Sequence, residues 1–350
     1  MSQFKQLITL AGKGNYPLAR NVISYLGDNG IICVKSHINP RRYIDGEPND
    51  EIVLRREIPG SDVLVFQSME SLLHEAQFMD LAGSAMFQYG ARSVTAILPF
   101  MRYRRQDHPN EVKGEMNRNL LLIKRIAAMG VKRVVLCDIH SDITIRNFRN
   151  EGIKVWNIEQ VDTFAPFLAD YIVEAKADGR PIYALALDKG SVPRAIQMAR
   201  YFGIKMGIKV AVCFKERLSA TETRIIKNPA EIARLKAEYG DDFIFDDSVL
   251  ADAVVIITED EVSTAGSSEQ MGNHLRSLGV HQSILCFTHA VCVGEWRAHL
   301  LVTRRFDVIC SANTMEITYD KMTGGEILRV DVASMIGATL LEVIEDIKRG

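Results

Sequence analysis

Five short stretches of this chain combine residue types that handle phosphate, sugar hydroxyls or a divalent cation. In TEDEVSTAGSS (258–268) the apolar run ADAVVII gives way to acids, then to Ser263, Thr264, Ala265, Gly266 and Ser267. Side chains that small let successive backbone N–H groups converge on an anion, and the positive end of a following helix reinforces them. Ser267 and Gln270 stand at capping-box spacing, which predicts a helix starting there. Glu259 and Asp260, at the strand end, are suited to accept hydrogen bonds from sugar hydroxyls. A plain strand-to-helix turn with solvated acids accounts for the same residues equally well.

DIHSD (138–142) places a carboxylate and an imidazole after another apolar run, at the edge where open α/β sheets bind ligands. His140 is a candidate ligand for a divalent cation; a hydrogen-bonded surface histidine is the plainer reading. LDKGSVPRA (187–195) ends a strand with Asp188, followed by Gly190, Ser191 and Arg194. Asp188 suits Mg²⁺, held directly or through water, or else simply sits near a helix dipole. In FKERLSATETR (214–224), Lys215 and Arg217 are two apart, so an extended chain points both cations at one target. That arrangement suits charge building up on a transferring phosphoryl group, although exposed cation pairs at strand ends are common. FMRYRRQDHP (100–109) gathers Arg104, Arg105, Gln106, Asp107 and His108 beside Phe100 and Tyr103. Arginine on phosphate and an aromatic on a base would make a nucleotide pocket. RNA is the rival ligand, disfavoured by so short a cluster in a chain of formal charge -2.

These residues need strands to carry them. DVLVFQS (62–68), SVTAILPF (93–100), VKRVVLCDIH (131–140), IYALALD (182–188), KVAVCF (209–214), AVVIITED (253–260), SILCFTH (283–289) and FDVICSA (306–312) read as strands. Most are apolar on both faces, as parallel strands buried under helices are. Between them, NRNLLLIKRIAAMG and SEQMGNHLRSLG have helical spacing and end on glycine. Such alternation predicts an α/β fold with mostly parallel sheets. GVKRVVLCDIH (130–140) and GVHQSILCFTH (279–289) share G-V-x-x-x-x-L-C-x-x-H, which suits two similar units in tandem. The boundary is expected near 150–160, in the turn-rich NFRNEGIK. KNPAEIARLKAEYGDDFIFDDS (227–248) reads as a charged surface excursion, and SMIGATLLEVIEDIKR (334–349) as an amphipathic closing helix.

Bulk composition narrows the class. The 350 residues, 47% hydrophobic and 25% charged, suit a globular protein of two domains. A charge of -2 creates no global field for nucleic acid or an anionic membrane. Cys33, Cys137, Cys213, Cys286, Cys292 and Cys310 form no C-x-x-C pair, and several lie in apolar runs, so reduced buried thiols are expected. No apolar run reaches membrane-spanning length and MSQFKQLITL lacks a signal-peptide core, which predicts a cytoplasmic protein.

Taken in order, the motifs resemble the phosphoribosyl pyrophosphate synthetase (ribose-phosphate pyrophosphokinase) family across roughly residues 8 to 320. The family's F-x-D-G-E turn is matched by YIDGE (43–47), Y-x-R-Q-D by YRRQD (103–107) and D-L-H by DIH (138–140). P-D-x-G-G-x-x-R-A is matched by LDKGSVPRA, the K-x-R pair by KER (215–217), and D-D-x-x-D-T-G-G-T by EDEVSTAGS (259–267). The resemblance implies two phosphoribosyltransferase-like domains in tandem, each a mostly parallel sheet flanked by helices. An N-terminal ATP-side domain would span 1–155, a ribose-phosphate domain 156–325, and a strand and helix would close the fold over 326–350.

It also implies a reaction, in which the β,γ-diphosphoryl group of Mg-ATP passes to the anomeric hydroxyl of a 5-phosphorylated ribose and AMP leaves. His140 and Asp188 would then hold Mg²⁺. Lys215 and Arg217 would stabilise the transferring group. Arg105, Gln106 and Asp107 would contact ATP, with Tyr43, Asp45 and Glu47 completing the adenine pocket from a neighbouring subunit of a homo-oligomer. Glu259 and Asp260 would take ribose hydroxyls, and Ser263, Thr264, Ala265, Gly266 and Ser267 the phosphate. The chain departs from the pattern at Glu259, Ser263 and Ala265 and in SDITIRNF after DIH, and the span from Arg217 to Glu259 is longer. These departures gather near the acceptor, so ADP-ribose, used by some phage-encoded relatives for rebuilding NAD, stands beside ribose 5-phosphate. A catalytically silent regulatory member of the family is the alternative, and retention of Lys215, Arg217, His140 and Asp188 argues against it.

Overall fold

The structure, a computed structural model, describes residues 7–36, 38–39, 41–53, 55–109, 111–187, 190–206, 208–212, 214–217, 223–226, 230, 233–234, 237, 243–244, 247–316 and 324–349. The chain divides into two units: Met1–Glu159 with Asn313–Glu316 and Asp331–Gly350, and Gln160–Ala312 with Ile317–Val330.

The first unit opens with β1 (Leu7–Ala11), α1 (Tyr16–Asp28) and β2 (Cys33–Ser36). A small antiparallel hairpin follows, β3 (Ile38–Asn39) with β4 (Glu51–Ile52). Then come β5 (Asp62–Phe66), α2 (Leu72–Gly83), β6 (Ser93–Leu98), α3 (Arg118–Ala128), β7 (Val131–Cys137), α4 (Asp142–Asn150) and β8 (Lys154–Ile158). Six of these strands form one sheet, ordered β2-β1-β5-β6-β7-β8, with every pairing parallel. Strands β1, β5 and β6 are buried along their whole length, because a parallel sheet carries helices on both faces. Chain order reverses between β1 and β5, and β6 lies beside β7.

The second unit runs α5 (Gln160–Ala177), β9 (Ile182–Ala186), α6 (Val192–Met206), β10 (Lys209–Val212), β11 (Phe214–Arg217), β12 (Thr223–Ile226), β13 (Phe243–Ile244), β14 (Val254–Val262), α7 (Gly266–Ser277), β15 (Gln282–Ala290), β16 (Val308–Ala312) and β17 (Leu328–Val330). Its sheet is ordered β13-β10-β9-β14-β15-β16-β17, again parallel throughout. Here the reversal falls between β9 and β14, the crevice where open α/β sheets take their ligands. Strands β11 and β12 form a separate antiparallel pair.

The α/β class and the parallel sheets are as the sequence leads one to expect. Three differences are informative. NFRNEGIK is not a turn throughout: residues 147–150 close α4 and Lys154 opens the edge strand β8. Strands β1 and β2 have no counterpart in the sequence reading, since LITLA and CVKS are too short for periodicity to separate from helix. Most of the expected excursion at 227–248 lies outside the described residues, while Phe243–Ile244 pairs with β10. The described cysteines are free thiols; burial pushes Cys33 up to about 11 and Cys292 up to about 12. Among the described residues no helix is long and apolar enough to cross a membrane.

The C-terminal helix (Ala333–Arg349) turns Ile336, Leu340, Val343, Ile344 and Ile347 inward, the expected amphipathic pattern, and it belongs to the first unit. Arg133 Nε and Lys154 Nζ both donate to the Asp346 carboxylate, at 2.7 and 2.5 Å. Gly337 meets Tyr25 of α1 so closely that an added Cβ would lie 2.2 Å from Tyr25 Cδ1. Gly337→Ala is therefore expected to lose about 1–3 kcal/mol in urea unfolding despite alanine's better helix propensity. Truncating the ring with Tyr25→Ala in the same background should make the alanine neutral or favourable.

Candidate functional site

The expected groups of the first unit's sheet edge are placed by the strands that precede them. In the first unit β6 leads into Phe100–His108 and β7 into Asp138–Ser141, and these strands are neighbours. Both connections contain a non-glycine residue at positive φ: Tyr103 at 60° and Asp138 at 42°. Strain of this kind persists only where the surroundings over-determine the backbone. Here Arg104, only 5% exposed, donates from Nη2 to the Asp138 carbonyl at 2.6 Å. The Asn157 Oδ1 on β8 accepts from the Ile139 N–H at 3.3 Å. Tyr103 has the guanidinium of Arg102 5.3 Å from its ring centre and that of Arg118 5.8 Å away.

The segment 104–107 is two-faced. Arg105 and Gln106 are exposed and Arg104 and Asp107 are buried. Asp107 Oδ2 accepts from the Ser141 hydroxyl at 2.5 Å and Oδ1 meets His108 Nδ1 at 2.9 Å. Burial alone would raise this carboxyl, but the hydrogen bonds from Ser141 and His108 outweigh it and hold the pKa below its ordinary value. Ser141 also accepts from the Ile143 N–H and so caps α4. Between these anchors His140 stands exposed.

Mg²⁺ keeps most of its shell as water and phosphate oxygen and takes few protein donors. Among the described residues no three His, Cys, Asp or Glu side chains gather as a cage. An exposed imidazole at His140 would supply one protein contact to an ion held chiefly by nucleotide phosphates. Asp188, the other expected ligand, lies outside the described residues.

Tyr43, Asp45 and Glu47 are exposed at the tip of the β3–β4 hairpin. The tip is a tight turn: Gly46 has φ 90° and donates to the Tyr43 carbonyl, while the Asp45 carboxylate accepts from the Glu47 N–H. Lys215 and Arg217 lie two apart on β11, paired with Ile225 and Thr223 of β12.

In the second unit, Thr258, Glu259 and Asp260 lie on the expected strand, but β14 runs two residues further, paired with β15 out to Val262, before the loop opens. Glu259 and Glu261 therefore share one face and Asp260 the other. Asp260 is buried 3.9 Å from Arg194 Nη2 of α6. The Glu259 carbonyl accepts from Gln160 Nε2 at 2.5 Å. The expected capping box is also displaced: α7 begins at Gly266, and its N-cap is Ala265, left-handed at φ 62° with no side-chain cap. Ser267 thus sits inside the first turn. The left-handed backbone at Ala265 starts the helix two residues early, and its first N–H groups have no side-chain cap. Ser263 is half-buried and accepts from the Val293 N–H, and Thr264 is exposed. Ser141 and Gln160 were not singled out in the sequence; Ser141 could have been found as a serine just ahead of a helix, whereas Gln160 carried no signal.

The architecture is that of the phosphoribosylpyrophosphate synthetases. The crystal structure of phosphoribosylpyrophosphate synthetase from Mycobacterium smegmatis superposes with a TM-score of 0.75 at 22% identity, over 98% of this chain and 100% of that one. Residues 7–130 match the family model for the N-terminal domain of ribose phosphate pyrophosphokinase. Over nearly the full length the chain is 26% identical to ribose-phosphate pyrophosphokinase of Deinococcus radiodurans, covering 98% of this chain and 96% of that protein. It is 25% identical to that of Nitrosomonas europaea, covering 97% and 96%. Over nearly its whole length the chain is thus similar to ribose-phosphate pyrophosphokinases, and its residues 7–130 carry their N-terminal domain.

One buried carboxyl in the segment after β5, that of Glu70, titrates near neutrality. Glu70 Oε1 accepts from the Glu316 N–H at 2.6 Å. Burial pushes the Glu70 carboxyl up to about 7; that hydrogen bond opposes the shift and the Glu316 charge adds to it. A raised carboxyl pKa means that folding takes up a proton, so this contribution is complete below about 4.5 and is lost as pH rises through 7. Glu70→Gln should therefore raise the unfolding midpoint at pH 8 and leave it nearly unchanged at pH 4, as followed by circular dichroism.

Proposed function

We propose that this protein transfers the β,γ-diphosphoryl group of Mg-ATP to the anomeric hydroxyl of a 5-phosphorylated ribose, with release of AMP. The observation that carries the reading is positional. The motif residues described here lie on the last residues of parallel strands or just beyond their carboxyl ends, in family order, apart from the hairpin tip and the β11 pair. In this reading Arg105 and Gln106 hold ATP from the exposed side of their turn. His140, with Asp188, contacts Mg²⁺, which when bound neutralises phosphate charge and aligns the leaving group. Lys215 and Arg217 meet the negative charge that develops on the transferring group. Asp260, steadied by Arg194, and Glu259 accept from ribose hydroxyls. Ser263, Thr264, Ala265, Gly266 and Ser267 bring backbone N–H groups and a helix N-terminus to the phosphate.

The relatives are named for a ribose phosphate, and ribose 5-phosphate is the first acceptor in this reading. ADP-ribose is the second reading, supported by the departures at Glu259, Ser263 and Ala265 beside the acceptor loop. The exposed hairpin tip bearing Tyr43, Asp45 and Glu47 suits an adenine pocket shared with a second copy, so the working form is at least a dimer.

With Mg-ATP and either acceptor, AMP should appear only when acceptor is present; the better acceptor is the one with the higher kcat/KM. Absence of acceptor-dependent AMP in both cases, with intact folding, leaves the silent regulatory alternative. Lys215→Ala should lower kcat by about 10²–10³-fold with the fold unchanged. Light scattering at assay concentration should give a mass of at least two chains, and a monomeric mass overturns the shared pocket.

A further inference from the structure

Asp107 stands in the family pattern beside the ATP contacts Arg105 and Gln106, yet its geometry is not that of a ligand. Its side chain is 2% exposed and both carboxylate oxygens are engaged, one by Ser141 and one by His108. To meet a nucleotide it would have to break both bonds and bring a negative charge toward a triphosphate. What it does reach is the residue next to His140.

The Ser141 hydroxyl has two partners: it donates to Asp107 Oδ2 at 2.5 Å and accepts from the Ile143 N–H at 3.3 Å. Helix α4 is thereby tied to the segment after β6. On the other side of His140, Arg104 of the same segment grips the Asp138 carbonyl at 2.6 Å. One short stretch thus holds the backbone on both sides of His140 with its buried residues, Arg104 and Asp107, while its exposed residues, Arg105 and Gln106, face outward.

We propose that Asp107 is a positioning residue that aims His140 through Ser141, so that the nucleotide-binding turn and the metal-binding turn are set as one piece. The role rests on the reading of Arg105, Gln106 and His140 given above. Hydrogen bonds to the surroundings of a metal contact typically change metal affinity 10–100-fold when removed, because they fix its direction rather than its chemistry. A ligand role for Asp107 makes a different forecast, since Asp107→Ala would then weaken ATP binding in EDTA while Ser141→Ala would not.

The experiment compares Asp107→Asn, Asp107→Ala, Ser141→Ala and the Asp107→Ala/Ser141→Ala double variant in the full-length protein. Three quantities are read: the His140 imidazole resonance, assigned by its loss in His140→Ala; ATP affinity in EDTA; and the Mg²⁺ concentration that half-activates AMP release. Asp107→Ala and Ser141→Ala should each move the His140 resonance and raise the half-activating Mg²⁺ about 10-fold. The double variant should do no more than either single one, and ATP affinity in EDTA should stay unchanged. Asp107→Asn, which keeps an acceptor for Ser141, should remain near wild type. The inference is overturned if Asp107→Ala weakens ATP binding in EDTA while Ser141→Ala does not, or if Ser141→Ala leaves the His140 resonance in place. Should wild type release no AMP with any acceptor, the functional reading fails; the resonance and the metal-free ATP affinity still decide the positioning role. Ser141→Ala, which removes only a half-buried hydroxyl, decides the matter where Asp107→Ala does not fold.

Discussion

A wholly parallel sheet delivers the carboxyl end of every strand to a single edge, and the chain must turn there before a helix can carry it back. In this protein that turn repeatedly forces non-glycine residues to positive φ. Asn15, Tyr103, Asp138, Ala265 and Cys292 follow β1, β6, β7, β14 and β15 respectively. Each such residue costs on the order of 1–2 kcal/mol, so neighbouring contacts must hold it. Arg104 does so for Asp138, and the Val262 and Ser263 carbonyls accept from the Cys292 and Val293 N–H groups beside the phosphate-type loop. The groups suited to chemistry are thus carried on backbone that cannot relax independently.

Ala265 shows how a departure from the family pattern is accommodated. Its left-handed φ of 62° is a conformation that glycine adopts freely, and the family pattern has glycine there. Its methyl group is buried in the apolar core of the second unit, among residues that include Val262, Met271 and Trp296. Apolar burial offsets part of the conformational cost. The loop therefore keeps the helix start that an anion needs, with a rigid alanine in place of a permissive glycine.

Alternation matters as much as strain. Along β14 the strand period separates Glu259 from Asp260, so the two acids cannot approach one ligand atom from the same face. Along 104–107 the turn sorts buried from exposed residues in the same way. Residue type alone placed all four of the latter near a nucleotide; burial divides them into two that face outward and two that brace the adjoining turn.

The sequence by itself determined the fold class and which strand ends carry residues suited to chemistry. Doubly apolar strand runs such as VVIITED and VVLC are the signature of sheets covered on both faces, and the ordered motifs marked their ends. It did not resolve the short strands β1, β2 and β8, because runs of four or five residues carry no period that separates strand from helix. Nor could it place the start of α7 at Gly266 or pair Asp107 with Ser141. Those depend on which strands become neighbours and which backbone dihedrals their loops must adopt, and contacts between residues 34 positions apart exist only once β6 and β7 lie side by side.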